Sequence, residues 1–426
     1  MSDGIARKNP PPSGWRPSLK QIAADCGVTV ATVSRILNSK SNFHCSAKTD
    51  KKVRESAAKH KYLPNQLTRG IRDGRTRAIG VISAERLSFH TEIIHGIHHG
   101  LADNEYVMIH EWNDAVLHTD QGEREKVIIQ RLIQHRVDGI ILFPTNQNAA
   151  ELYFCEVKER NIPLVVMDIP LPHIDADFVG TDNHDCGFQA GKFLIAQGHR
   201  DLFTLLPSGE LPGHPFMERA KGFEDAVESA SNIGYQRLEY VQKLTGFSDR
   251  QASIATNIET VVKPLLTAPH PIAVFCVSDM IAKDVYRLAK AQGCHIPDDI
   301  SVIGVGNLDY SELIDPPLTT FEQHPYEIGL EAALLILKRL QKSSPSRAVP
   351  RYTPLHLKTD LILRESVRQN LRSSQEMAGD ESSLQPAHFF SEMDVVTKGI
   401  STKSLSESVK VDNRSPAENS IRDSVV

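Results

Sequence analysis

Nowhere in the 426 residues is there a run approaching the roughly 20 consecutive apolar residues that a membrane-spanning helix needs. The opening MSDGIARKNPPPSGWRPS also lacks the apolar core of a secretory signal, so a cytoplasmic protein with no membrane partner is expected. Cysteine is sparse. The six residues Cys26, Cys45, Cys155, Cys186, Cys276 and Cys294 form no CxxC pair, which argues against a disulfide framework or zinc knuckle and for free thiols. The signatures of nucleotide and hydrolase chemistry are missing too. No GxxxxGKS, GxxxxGKT or GxSxG occurs, and GVGN at 304–307 lacks the following glycines of a dinucleotide fingerprint. His95, His98 and His99 share helical spacing, but no HExxH-type carboxylate accompanies them. Solvated helix histidines are the reading, and neither a metal, a cofactor nor an enzyme is expected.

What is present is unevenly spread. Met1 to Arg77 holds sixteen Lys and Arg against five Asp and Glu, a net of +11, which leaves −16 on the rest of a chain whose total is −5. The front end therefore seeks a polyanion, although a basic run can also be a solvated arm.

Residues 1–17, rich in Pro and charge, cannot bury a core and read as a flexible arm. The folded part begins at Ser18. In SLKQIAADCGVTVATVSRILN, Ser18 and Gln21 have capping-box spacing, and Leu19, Ile22, Ala23 and Cys26 repeat at helical spacing. Gly27 stops that helix, Thr29 caps the next, and Val33, Ile36 and Leu37 give it an apolar stripe. A third helix is expected from the Ser46 cap through Val53 and Ala57 toward His60, and Pro64 stops continuation. An all-α helix-turn-helix domain over 18–64 results.

From Ala78 the pattern becomes α/β. Strands are expected at AIGVI, YVMIH, DGIILF, PLVVMD, DLFTLL, IAVFCVS and ISVIGV. Between them lie helices near 91–103, 121–135, 148–160, 184–197, 217–230, 252–266, 279–292 and 325–341. Near 290 residues this exceeds one simple sheet, so two doubly wound lobes facing across a cleft are expected over 78–366. From 367 to 426 the chain turns Ser- and charge-rich and reads as a disordered tail.

A tight helix pair becomes useful when its second helix projects N-terminal side chains into a major groove. Here these are Thr29, Val30, Ala31 and Thr32, with Arg35 and Asn38 further along. A threonine can bond phosphate or a base edge, Val30 and Ala31 can touch thymine methyls, and Arg35 can donate twice to guanine. Val30 could instead pack into the small core. Lys40, Lys48, Lys51, Lys52 and Arg54 are placed along the phosphate backbone.

The run ADCGVTVATVSRILN, then KYLPN and GRTRAIGVI, resembles the LacI/GalR (lactose-repressor-type) family of transcription regulators. The resemblance extends from about Ser18 to Glu365 through VGTDNHDCGFQAGKFLIAQGHR, RAKGF, VSDMIA and ISVIG followed by PPLTT. It implies a homodimer on a pseudo-palindromic operator and a two-lobed, periplasmic-binding-protein-like sensor. It also makes 65–77 a hinge segment that enters the minor groove, with Asn65 as cap, Thr68 beside it and Ile71 as the wedge where relatives usually carry leucine. Gly70 inside so short a helix costs about 1 kcal/mol, so the hinge should be unfolded off DNA.

Ligands of open α/β sheets bind beyond the carboxyl ends of strands, which singles out Ser83, Arg86, Asp168, Arg219, Ser278, Asp279 and Asn307. By the resemblance, Arg219, Ser278 and Gly306–Asn307 contact the effector, and the acidic residue that many sugar-binding relatives place at 306 or 307 is missing. With that carboxylate lost and Arg219 kept, the balance shifts toward an anionic ligand, a sugar acid or phosphorylated sugar paired with Arg219, with a neutral sugar as the open alternative. An enzyme or sugar-binding module with an accessory helical domain, or a purely structural protein, would leave the DNA-reading run without a purpose. Replacing Ile71 by alanine is expected to abolish operator-specific but not non-specific binding, as measured in a salt-matched binding assay; unchanged operator affinity would refute the wedge.

Overall fold

The computed structural model describes residues 18–38, 45–62, 74–83, 88–113, 121–144, 156–171, 174, 176–209, 213–241, 250–267, 271–341, 352 and 354–369. The N-terminal helices are α1 (Leu19–Cys26), α2 (Val30–Asn38) and α3 (Ala47–Lys59). Gly27 ends α1 at φ +67, its N–H and that of Val28 returning to the Ala24 and Ala23 carbonyls. The expected hydroxyl cap at Ser18 does not form, because the Ser18 carbonyl takes the Gln21 N–H at 3.1 Å and leaves the side chain without that role. The other two caps are in place: Thr29 Oγ1 accepts the Thr32 N–H and Ser46 Oγ accepts the Thr49 N–H, each at 3.1 Å. Ile22, Ala23, Cys26, Val33, Ile36, Val53 and Ala57 close into one small core.

Two six-stranded sheets follow. The first lobe contains β1 (Ala78–Ser83), α4 (Ser88–Ala102), β2 (Val107–Trp112), α5 (Gln121–Gln134), β3 (Gly139–Leu142), β4 (Leu164–Met167) and β5 (Asp177–Thr181). The second contains α6 (Asn183–Ala196), β6 (Asp201–Pro207), α7 (Pro215–Glu228), β7 (Gly234–Tyr240), α8 (Arg250–Leu266), β8 (Ile272–Cys276), α9 (Asp279–Gln292), β9 (Ile300–Val305) and β10 (Thr319–Glu322). The chain then returns α10 (Pro325–Gln341) and β11 (Pro354–Leu357) to the first lobe and β12 (Asp360–Ile362) to the second. Sheet orders are β11-β5-β4-β3-β1-β2, all parallel, and β12-β10-β9-β8-β6-β7, parallel except for β12. Each is a doubly wound sheet whose switch point lies beside its first strand. Central strands such as β8 and β9 are buried throughout, which is why they read as unbroken apolar runs.

The sequence pattern does not pick out β5, β7, β10, β11 or β12, which are short, polar or at a sheet edge. Of the helix expected at 148–160 only 156–160 fall among the described residues; 156–159 are helical and 160 is a turn. The second lobe reaches past the expected boundary at 366: Val367 is buried in its core and the Arg368 N–H donates to Ser301 Oγ at 2.9 Å. The rest of the expected tail, residues 370–426, lies outside the described residues.

The chain passes between lobes three times, at 181–183, 322–325 and 358–359. Among the described residues its entry is moored to the first lobe. Asp138 accepts the Thr76 and Arg77 N–H groups at 2.9 and 2.8 Å, Thr76 Oγ1 donates to the Arg136 carbonyl, and Arg75 donates to the Leu340 carbonyl in the last turn of α10.

Each lobe also carries a pair of helices in backbone contact. A Cβ on Gly329 of α10 would stand 1.9 Å from the Ile93 carbonyl oxygen of α4, and one on Gly187 of α6 would stand 1.9 Å from the Arg219 oxygen of α7. Only glycine permits such an approach. Gly187→Ala should therefore destabilise by about 2–3 kcal/mol through overpacking, despite the ~1 kcal/mol alanine gains as a helix former. Urea unfolding measures this, and an unchanged midpoint would show that α6 and α7 are not in backbone contact.

Candidate DNA-reading surface and effector cleft

The N-terminal turn of α2 keeps its apolar groups outside the core. Val33 and Ile36 are buried beneath it, whereas Val30 is 41% exposed and Ala31 and Arg35 are exposed. Core packing therefore does not account for Val30. The hydroxyls of Thr29 and Thr32 lie 2.9 Å apart and hold one another, presenting a fixed polar pair beside Val30 and Ala31. Asn38 ends α2. Asn65, Thr68 and Ile71, with Arg86 of the cleft set, lie outside the described residues.

Two of the expected phosphate-contacting cations are turned to other work. Lys52 Nζ donates to the Cys26 carbonyl at 3.1 Å, and Arg54 pairs with Asp50 and reaches the Ile36 carbonyl. Both cover carbonyls near helix ends, where a cation is favoured by the helix dipole. His60 bonds Asp25 and ties the end of α3 to α1, holding the Asp25 carboxyl below its ordinary range.

In the sensor, the residues after strand ends separate into two groups. Asp168 follows β4 in the left-handed region (φ +59) and is buried, with Oδ1 meeting no hydrogen-bond donor among the described residues. Burial raises its carboxyl to about 6, outweighing the attraction of Arg219, which lies in the other lobe. Arg219, on α7, is 4% exposed. Its Nε donates to Asn183 Oδ1 at 2.8 Å, Nη1 to the Val277 carbonyl at 2.7 Å and Nη2 to Gln323 Oε1, while the Phe216 ring lies 5.7 Å from the guanidinium carbon. His214 caps α7, and burial, aided by Arg219, lowers it to about 4, so its ring is neutral. Ser278 caps α9 by accepting the Met280 N–H, which leaves its hydroxyl proton available to a ligand.

The other candidates are consumed by the fold. Asp279 is fully buried and accepts from the Leu308 N–H, Ser311 Oγ and Thr320 Oγ1 at 3.1, 2.6 and 2.6 Å. It orders the loop after β9 instead of facing the cleft. Asn307, at φ +45, spans Glu322 and Arg364 with its amide. Ser83 shares a hydrogen bond with His110, whose burial keeps it neutral. Asn183 and Gln323, the amides that hold Arg219, are residues that strand-end reasoning misses, since an uncharged amide carries no charge signal in sequence. On α4, His99 bonds Tyr326 and His95 lies 3.8 Å from Glu92; among the described residues no cluster could hold a metal. Cys26, Cys45, Cys186, Cys276 and Cys294 are free thiols. No helix among the described residues is long and apolar enough to cross a membrane.

An exposed helix-turn-helix face and a two-lobed α/β cleft are also what the chain shares with known proteins. Residues 18–65 match the family described as bacterial regulatory proteins, lacI family, and residues 192–367 match a periplasmic binding protein-like domain. The chain is 32% identical over 329 residues to the HTH-type transcriptional repressor CytR of Escherichia coli (strain K12), covering 76% of this chain and 90% of that one. Among solved structures it is similar in fold to the lac repressor dimer bound to operator and the anti-inducer ONPF, with TM-score 0.66, 22% identity and coverage of 83% of this chain and 99% of that one. It is also similar to a LacI family transcriptional regulator from Enterococcus faecalis V583 with bound ribose, with TM-score 0.55, 25% identity and coverage of 68% and 99%. With a helix-turn-helix whose α2 start is exposed, two lobes wound as in these proteins and transcription repressors among its relatives, the chain belongs to the lacI family of DNA-binding bacterial regulatory proteins.

Proposed function

We propose that two copies of the chain seat their α2 helices in successive major grooves of a pseudo-palindromic operator and repress transcription, and that a small carbohydrate-like effector held between Asp168 and Arg219 sets operator affinity. The similarity to an operator-bound repressor dimer supports the first half. The observation that carries it is the exposed Val30 and Ala31 at the start of α2, with Arg35 one turn on.

For the effector, the carrying observation is the buried Asp168 oxygen that meets no described donor, opposite a guanidinium with three of its five N–H groups engaged. A neutral polyol fits this better than an anion. Its hydroxyls can donate to Asp168 and accept from Arg219, whereas an anion would bring a second negative charge against Asp168. The ribose bound in the Enterococcus faecalis neighbour supports the same class.

Four outcomes test this reading. On duplexes selected by the wild-type protein from a random pool, Arg35→Ala should relax the preference at one base pair per half-site by about 1–3 kcal/mol. A uniform loss at all positions would make Arg35 a phosphate contact. In a thermal-shift screen, neutral pentoses, hexoses and disaccharides should stabilise the protein and sugar acids should not; the reverse would overturn the neutral class. Affinity for the stabilising sugar should rise from pH 5 to 7, because hydroxyls donate to the ionised carboxylate. The ligand-free protein should respond oppositely. The raised carboxyl of Asp168 contributes stability below about 4 that is lost as pH passes 6, and Asp168→Asn should flatten both profiles.

A further inference from the structure

Two of the three inter-lobe passages meet at one side chain. Asn183 opens α6 just after the first passage and Gln323 lies on the second, between β10 and α10. Both amides accept from the Arg219 guanidinium, and both also reach Thr181 at the end of β5. Asn183 Nδ2 donates to the Thr181 carbonyl at 3.2 Å, and Thr181 Oγ1 lies 3.4 Å from Gln323 Oε1. Arg219, Asn183, Thr181 and Gln323 thus close a ring of hydrogen bonds in which every member is less than a tenth exposed. The third passage is attached indirectly: the Asp182 N–H donates to the Leu357 carbonyl at 2.8 Å, and Lys358 Nζ reaches Asp182 and Asp185 at 3.0 and 3.1 Å.

We propose that Asn183 and Gln323 are positioning residues of the sensor, binding Arg219 to both helical passages so that whatever displaces the guanidinium must also turn one lobe against the other. This rests on the reading that Arg219 contacts the effector. The physical basis is that a buried cation cannot give up an acceptor without replacement. An effector that draws the guanidinium toward Asp168 has to carry the amides, and the passages behind them, along with it. Lobe angle is then set by one side chain with partners on both routes, not by diffuse softness of the linkers.

The test uses ligand-free, full-length protein and compares Gln323→Leu, which removes the acceptor, with Gln323→Glu, which keeps one. Amide hydrogen exchange in Gln323→Leu should accelerate by about tenfold or more at 181–186 and at 355–360, a strap that Gln323 does not bond, while β8 at 272–276 keeps its protection. Affinity for the pool-selected duplex should shift by about fivefold or more, and Gln323→Glu should return both measurements to near wild type. Acceleration confined to 322–326, or a glutamate variant that behaves like leucine, would overturn the proposal. If Gln323→Leu fails to fold, Asn183→Leu against Asn183→Asp poses the same question. No effector is present in either measurement, so an error about what Arg219 binds would appear only in the sugar screen and leave this result standing.

Discussion

A guanidinium withdrawn from water between two lobes is the constraint on which the sensor depends. Taking such a charge into the interior costs several kcal/mol unless acceptors surround it. Arg219 meets that demand with two amides, a backbone carbonyl and the field of Asp168. Each acceptor comes from a different element: the start of α6, the end of β8 and the passage into α10. The helix carrying Arg219 is itself pressed against α6 through Gly187, so the backbone and the side chain fix the same relation between elements. Burial also shifts Asp168 toward protonation, so the cleft's two charged groups have unequal hold on their charges.

The two lobes solve the same packing problem twice. Each is entered by a helix that arrives from the other lobe, α6 in one direction and α10 in the other, and each lays that helix on the one following its own first strand. Both contacts rest on glycine. Because no side chain separates the paired backbones, neither helix of a pair can shift toward the other without a clash.

Much of this was legible in the sequence, for reasons that also explain what was not. Helices α9 and α10 fall where they were expected, at 279–292 and 325–341, and β8 and β9 follow from unbroken apolar runs. Strand β7 escaped because an edge strand with one solvated face alternates polar residues, as GYQRLEY does. Strand-end reasoning singled out Asp168, Arg219 and Asp279 alike, and it could not tell the first two, which attract one another across the lobes, from the third. The difference lies in direction: Asp279 turns inward because Gly304, lacking a Cβ, leaves space that the carboxylate fills. No count of residue types along a chain reports that. Exposure of Val30 was likewise open in the sequence, since valine suits a core and a groove equally until its neighbours are placed.

The mooring of residues 75–77 divides the sensor unevenly. Every bond described for that segment ends in the first lobe, on Asp138, Arg136, Glu105, Val107 and Leu340. Residues 75–77 are thus fastened to the first lobe, whereas the second lobe is joined to it by the three passages and by the Arg219–Asp168 attraction. A substitution confined to the second lobe leaves every bond of that fastening untouched.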